Sequence, residues 1–388
     1  EVQDEGGGSV TAAAAPPTSV AKKSLDEVVI AIGQLMPRPT PSDWCLGGVI
    51  ALAATAAAAA EAGASLLVAP EAFLQSYEVM ISSGHEAAVT RDEAVARVAP
   101  IAQRRGIGIL VGYVERATTV QTAPAAVNDA AGNAASGETC IVYDSAMLIS
   151  PSGELVAHHR KAVLTQPELE AGITPGGPSG ALGLSAAGLA SCMSAGAGSD
   201  AGSGSDAGAI GSCSPPLPWL GGARLGLLIC ADIEVLEVAQ ALIDLGADML
   251  AVVACTFVPT HADNASASRA AARMPSMATE LCTELPAWLG AVAHAARFGV
   301  FCAYCNQARG FSAASSEAAK SGKVPLVEGA TLQGGFSRLV APDGRDVVAA
   351  AEGDTERLLL APLGSDLLHR LAWTGAALQE TLASVALR

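Results

Sequence analysis

Aromatic side chains are scarce: Phe, Trp and Tyr make up 4% of the 388 residues. A core without many large rings has to be built from Val, Leu, Ile and Ala in closely packed layers. The 51% of hydrophobic residues, much of it alanine, makes a large core of that kind affordable at this length. Basic residues are scarce as well, 22 Lys and Arg against 38 Asp and Glu, for a formal net charge of −16. No basic cluster offsets this locally. Such a chain repels phosphate backbones and anionic lipid, so neither nucleic acid nor a membrane is an expected partner. No apolar run is long enough for a bilayer. The richest, Leu46 to Ala60, is mostly alanine and is soon followed by Glu61 and Gly63, so it reads as a packed helix. The N-terminus lacks the charged-then-apolar order of a signal peptide. Nine cysteines, an odd number at irregular spacing, give no disulfide framework, and reduced thiols in a cytoplasmic compartment are the expectation. Cys302 and Cys305 form a C-x-x-C inside an apolar run that reads as a strand. Positions three apart on a strand face opposite ways, so the pair cannot chelate one ion. No metal and no organic cofactor is expected, and no internal sequence repeat is visible.

What is present alternates. Residues 1–24 are rich in Gly, Ala and Pro and read as a mobile tail. A single domain is expected from 25 to 388. It opens with the β-branched run Val28-Val29-Ile30-Ala31-Ile32, a buried strand. A helix follows from about Gly47 to Ala62, and then a strand from Ser65 that delivers Glu71 at its end. Residues 91–105 are helical in character and Ile107 to Val114 is a strand. Ala146 to Ser150 and Leu155 to His158 form a hairpin about Pro151-Ser152-Gly153. Leu225 to Ile229 is a strand ending at Cys230, Glu234 to Leu245 a helix, Met249 to Cys255 a strand, and Gly299 to Tyr304 another. This pattern means an α/β protein with helices covering sheet faces. Two stretches interrupt it. Residues 176–216 are Gly, Ser and Ala with too few large apolar groups to offset ordering entropy, and read as a low-complexity surface insertion. Residues 260–284 are a polar insertion of unassigned structure.

Three segments carry the chemistry. Leu67-Val68-Ala69-Pro70-Glu71 places a carboxylate directly after a buried strand, which is costly unless the group is solvated or paired. In His158-His159-Arg160-Lys161 a basic run stands between apolar segments; adjacent histidines on a strand diverge, so they do not make a ligand pair. In Leu228-Ile229-Cys230-Ala231-Asp232 a buried strand ends at a thiol with a helix close behind. Nearby N–H groups and the positive helix end favour thiolate there and can bind an oxyanion. Taken singly, each has an ordinary structural explanation: a solvent-facing Glu, a solvated turn, an inert core cysteine.

In order and in local sequence the three together resemble the nitrilase superfamily of carbon–nitrogen hydrolases. The matching residues are Pro70-Glu71, Arg160-Lys161-Ala162-Val163-Leu164 and Cys230-Ala231-Asp232, with Glu237 matching a downstream glutamate. Flanking segments agree: Ile30 to Gln34, Tyr143 to Leu164, Gly246-Ala247-Asp248, Val300 to Asn306, Gly335-Phe336-Ser337 and Pro342-Asp343-Gly344. The resemblance covers about residues 28–363 apart from the insertions. It implies a four-layer α-β-β-α sandwich of the nitrilase type. It also implies a homodimer or larger assembly, and a catalytic triad of Glu71, Lys161 and Cys230. In that scheme Cys230 attacks an amide carbonyl, Lys161 and the Ala231 backbone N–H hold the oxyanion, and Glu71 moves the proton.

The departures are specific. Ser76 stands where the family has glycine, and Leu236 where it has proline. A second active-site glutamate is expected near position 169, which is Leu; Glu168 and Glu170 flank it, and the choice stays open on sequence alone. Nitrile-cleaving members typically carry Trp directly after the nucleophile, where this chain has Ala231 followed by Asp232, as in amidase-like branches. The expected activity is therefore cleavage of a small amide. A nitrile hydrolase with the same triad and an inactive scaffold of the same fold are the alternatives. A papain-like protease is not the expectation, since no nearby histidine or flanking signature of that type accompanies Cys230.

Overall fold

A computed structural model describes residues 23–40, 42–120, 138–176, 212–256, 258–259, 287–308, 332–333, 335–350 and 356–364. The expected tail therefore lies outside the described residues except for Lys23 and Ser24. Insertion 260–284 lies outside them entirely, and so does insertion 176–216 except for its two ends.

The described elements run in the expected alternation. They are β1 (Val29–Gln34), α1 (Leu46–Glu61), β2 (Leu66–Val68), α2 (Tyr77–Ala87), α3 (Arg91–Arg105), β3 (Gly108–Val120), β4 (Glu138–Ile149), β5 (Leu155–Arg160) and α4 (Gln166–Glu170). Then come β6 (Ser212–Cys213), β7 (Leu225–Ile229), α5 (Leu236–Asp244), β8 (Met249–Ala254), β9 (Val258–Pro259), α6 (Ala287–Phe298), β10 (Phe301–Asn306), β11 (Leu332–Gln333), β12 (Arg338–Val340), β13 (Asp346–Ala349) and β14 (Arg357–Pro362). Local chemistry accounts for the helix ends. Thr90 and Glu93 cap α3 reciprocally, acidic Asp92 and Glu93 sit in its first turn and Arg104 and Arg105 in its last, and Gly106 closes it at φ +62°. Alanine, the strongest helix former, fills half of α1.

Two six-stranded sheets result, in the orders β14-β1-β2-β3-β4-β5 and β13-β12-β10-β8-β7-β6. Each has three parallel strands at its centre, β1-β2-β3 and β7-β8-β10, with antiparallel strands outside. Strand alternation separates the layers. Ala31, Leu67, Ile109, Val111, Met147 and Ile149 pack on Leu52, Ala56, Val98 and Ile101 of α1 and α3. Their neighbours Ile30, Ile32, Leu66, Val68, Leu110 and Leu148 pack against the second sheet, and Val238, Leu242, Ala291 and Ala295 of α5 and α6 join that cluster. The Cys305 thiol reaches across from β10 to the carbonyls of Gly33 and Val68 at 3.3 and 3.2 Å. The architecture is the expected four-layer α-β-β-α sandwich.

Several boundaries differ from the sequence reading, most of all in the hairpin strands: β3 runs on to Val120 where Val114 was expected as the end, and β4 starts at Glu138 where Ala146 was expected as the start. Lys23, inside the expected tail, is tied to the sandwich: its N–H donates to Pro218 O at 3.1 Å and its ammonium to Ser65 Oγ at 2.9 Å. The last residues of the expected insertion 176–216 are structured, because β6 pairs antiparallel with β7 and Ser214 Oγ accepts from Leu225 N at 2.8 Å. That pairing saturates the backbone of an otherwise open edge, which composition does not reveal. The single helix expected from Glu234 to Leu245 is a 3₁₀ turn, Cys230–Glu234, followed by α5. The strand expected over Gly299–Tyr304 runs over Phe301–Asn306 instead, since Gly299, at φ +66°, ends the preceding helix. Among the described residues no helix is long and apolar enough to cross a membrane.

Candidate active site

Glu71 leaves the C-terminal end of β2 on a turn pressed against β3. Ala69 N donates to Leu110 O, Gly112 N to Pro70 O at 3.1 Å, and Leu74 N to Gly112 O. Gly112 is required by this approach: a Cβ there would lie 2.5 Å from Ala72 N, 2.6 Å from Glu71 Cα and 2.7 Å from Pro70 O, all backbone atoms. Beyond Glu71 the chain turns sharply, with Ala72 at φ +46° and Ser76 at φ +97°. Gln307 fixes the turn from the second sheet, its Nε2 donating to Glu71 O at 2.9 Å. The Glu71 side chain is fully buried, so it cannot be the solvated strand-end group of the ordinary reading.

Its partner is Lys161, one residue past β5 and equally buried. The ammonium donates to Glu71 Oε1 at 2.6 Å and to Glu168 Oε1 at 2.5 Å, and lies 3.5 Å from Asp144 Oδ2. One ligand oxygen each from Glu71, Asp144 and Glu168 falls within 4.8 Å of the others, a spacing that suits a cation. The Lys161 ammonium occupies that role. Burial alone pulls a lysine toward neutrality. Here the Glu71 and Glu168 carboxylates outweigh it and hold the group well above its ordinary value. The open choice between two glutamates is resolved for Glu168, which is buried and also receives Tyr77 OH at 3.0 Å and Thr165 N at 2.7 Å. Glu170 is exposed and accepts from Gln166. The signal was available: Thr165-Gln166-Pro167-Glu168 is a capping-box sequence, which turns Glu168 inward at the start of α4.

Cys230 opens the 3₁₀ turn after β7 at φ +46°, a conformation that side chains other than glycine rarely adopt and that sites of chemistry often store. Its Sγ lies 3.4 Å from Thr256 Oγ1. Burial pushes the thiol well above its ordinary pKa and the Glu71 charge pushes the same way; Lys161 and the Thr256 hydroxyl pull back without reversing it. The thiol therefore rests protonated, against the expectation of a thiolate-favouring junction. A one-turn 3₁₀ segment supplies little dipole, and a dry site penalises the anion. Cys140, by contrast, sits exposed on β4. Ala231, the expected oxyanion donor, follows in the same turn, where the first N–H groups have no partner within the turn. Glu237, the matched downstream glutamate, is exposed in the first turn of α5.

Asp232 joins the halves of the site. Its Oδ1 accepts from Ala162 N at 3.0 Å and Val163 N at 2.8 Å, just past Lys161. Its Oδ2 accepts from Ile229 N at 3.0 Å, just before Cys230, and pairs with His159 Nε2 at 2.8 Å. The two histidines do diverge: His158 faces Tyr113 and Glu115, at 3.0 Å each. Sequence reasoning quoted Asp232 and His159 without this bridging role and missed Asp144 altogether. Strand parity could have found Asp144, since Ala146 and Leu148 on the same face of β4 point into the interior.

Known proteins place the chain. The model of the carbon-nitrogen hydrolase family matches residues 29–371. A Pseudomonas protegens protein described as "Hydrolase in pqqF 5'region" is 28% identical over 197 residues; the match covers 50% of this chain, and the chain spans about half the length of that relative. Among solved structures, an amidase from Nesterenkonia sp. aligns with a TM-score of 0.52 at 21% identity, over 92% of this chain and 97% of the other. A mutant of the Nesterenkonia sp. AN1 amidase in complex with butyramide aligns with a TM-score of 0.51, again at 21% identity and over 92% and 97% of the two chains. Identity at that level establishes the shared fold, and the family match runs through both sheets and every residue of the site described above. The chain belongs to the carbon–nitrogen hydrolase family.

Proposed function

We propose that the protein hydrolyses the carbon–nitrogen bond of a small amide through a thioester on Cys230. The observation that carries this reading is the burial of Glu71 and Lys161 in one dry cluster whose charges act directly on the Cys230 thiol. Because the thiol rests protonated, attack needs a base. Glu71 accepts the thiol proton as sulfur bonds to the carbonyl carbon. The oxyanion forms against Ala231 N–H and the Lys161 ammonium, which has one N–H beyond the two given to Glu71 and Glu168. Glu71 then returns its proton to the departing nitrogen, and ammonia or an amine leaves. In the second half a water loses a proton to Glu71 and attacks the thioester; the acid departs and the thiol is restored. Glu168 keeps Lys161 charged throughout.

The amide preference is supported by the small Ala231 beside the nucleophile, which leaves room for a trigonal carbon to become tetrahedral. It is supported as well by the Nesterenkonia amidase, whose active-site cysteine carries the acetamide moiety of fluoroacetamide in one structure. A homodimer or larger assembly belongs to the same reading. The test is a matched amide and nitrile sharing one acyl portion, scored by ammonia release. The amide should turn over faster, and Cys230→Ala should lower the rate by about 10⁴-fold or more. A faster nitrile, lost in the same variant, would overturn the substrate class. Activity surviving Cys230→Ala would overturn the nucleophile.

A further inference from the structure

Three carboxyl groups and one ammonium share the dry cluster, and Glu71, Asp144, Lys161 and Glu168 all have fully buried side chains. With every carboxyl ionised the cluster would hold two uncompensated negative charges out of water, which is prohibitive. One proton has to be retained among them. Hydrogen bonding shows where. Glu168 is satisfied as an anion, receiving Lys161, Tyr77 and Thr165. Glu71 receives Lys161 on Oε1, while its Oε2 has no donor among the described residues. Neither oxygen of Asp144 has one, and its 3.5 Å approach to Lys161 is a charge contact without a hydrogen bond. An anion belongs where donors converge, and a proton where they are missing.

We propose that Asp144 is a neutral carboxylic acid in the resting protein and donates its hydrogen bond to Glu71 Oε2, making it a positioning residue for the proposed base. That single bond pairs both orphaned groups at once. Glu71 is then held by Lys161 on one oxygen and by Asp144 on the other, with a second lone pair of Oε2 left for the thiol proton. Asp144 is surrounded by Glu71 beyond β2, Lys161 beyond β5, Glu168 on α4, and the Cys255 thiol beyond β8. Burial, first, and then the Glu71 charge push the Asp144 carboxyl well above the usual range, in the same sense as the geometry. A carboxylic acid kept neutral so that it can donate is an established way to build an active site.

The inference rests on the proposed role of Glu71 for its meaning, but its first test does not involve activity. Infrared spectra of the whole protein near neutral pH should show the C=O stretch of a protonated carboxylic acid, absent in Asp144→Asn. No such band, or one that persists in that variant, would overturn the proposal. Asparagine keeps the shape and an N–H donor, so Asp144→Asn should retain amide kcat/KM within about five-fold, whereas Asp144→Ala should lose about 10- to 100-fold. If Asp144 acted as an anion, Asp144→Asn would fall as far as Asp144→Ala, and the proposal would fail; should the alanine variant not fold, the infrared band and the asparagine variant still decide. A wild-type protein that shows the band but cleaves no amide would overturn the proposed function and leave the neutral acid standing.

Discussion

The two sheets solve the same topological problem with different chemistry. Each runs three parallel strands with antiparallel neighbours outside, although no sequence repeat connects them. Each places a reactive residue just past a parallel strand, Glu71 after β2 and Cys230 after β7, and each stores a positive φ there, at Ala72 and at Cys230 itself. The first sheet brings charge, and its charges answer one another: Lys161 against Glu71 and Glu168. The second brings a thiol, neutral polar groups and one carboxylate, Asp232, which reaches back to the first sheet. Thr256 N donates to Asn306 Oδ1 at 2.9 Å and Asn306 Nδ2 returns a bond to Thr256 O at 3.0 Å, fixing the loop beside the sulfur. Backbone geometry is shared because strand ends between packed layers are where a buried side chain can be aimed precisely enough for catalysis. Side-chain identity is free to differ, and that freedom divides the site into a half rich in charge and a half that carries the thiol.

The division succeeds only if the halves keep register, and Asp232 is the strongest tie. It is one carboxylate accepting from both sides, from Ile229 by the thiol and from Ala162, Val163 and His159 by the lysine. Asp232→Ala would orphan three buried backbone N–H groups and the His159 donor. A loss of about 3–5 kcal/mol in denaturant unfolding is expected, together with nearly complete loss of hydrolase activity. A loss below about 1 kcal/mol, with activity intact, would show that packing alone registers the two sheets.

A smaller effect separates the halves from one another. Gly112 on β3 faces only backbone, so Gly112→Ala must displace the Glu71 turn. Misplacing a catalytic group by about 1 Å costs on the order of 100-fold in rate, and overpacking costs about 1–3 kcal/mol. Gly226 on β7 is its control in the second half. A Cβ there meets Leu242 Cβ at 3.0 Å and the ends of the Leu242 and Leu250 side chains at 3.1 Å, so its neighbours must shift by only a few tenths of an ångström. Gly226→Ala should cost about 1 kcal/mol with kcat unchanged. Equal effects on kcat would mean that the two turns are not distinct in the way the structure describes.

Much of this was legible in the sequence because it rests on periodicity. Strand runs such as Leu225–Ile229 and helices such as α3 announce themselves by apolar spacing and caps, and Pro70-Glu71, Lys161 and Cys230 stand at their ends. What escaped depends on contacts between distant segments. The break between the 3₁₀ turn and α5 accompanies the turn of Asp232 back onto Ile229 N, and β6 exists because β7 offers an edge. The protonated thiol followed from a dryness no local pattern encodes. Asp144 is legible as buried by strand parity, yet its three charged neighbours come from β2, β5 and α4, separate parts of the chain.

The smallest effects lie at the two family departures, one in each half, and they should differ in size for a physical reason. Ser76 has φ +97° and ψ 150°, a region essentially reserved for glycine, at a strain of about 1–3 kcal/mol. Ser76→Gly relieves that strain. It gives up the Oγ cap accepting from Val79 N at 3.2 Å, worth a few tenths of a kcal/mol against glycine, and adds about 0.4–1 kcal/mol of unfolded-chain entropy. The balance favours the variant by about 1 kcal/mol, read as a raised denaturation midpoint. Leu236 is the first residue of α5, where an N–H has no partner within the helix, and Val235 before it is extended at φ −104°, ψ 108°. Leu236→Pro therefore meets no steric objection but relieves no strain either. Entropy gained in the unfolded chain is offset by lost contacts of a half-buried side chain, and the midpoint should move by less than about 0.5 kcal/mol. If Leu236→Pro stabilised more than Ser76→Gly, the strain assigned to the turn beyond Glu71 would be absent, and the first half would have no more stored distortion than the cysteine turn opposite it.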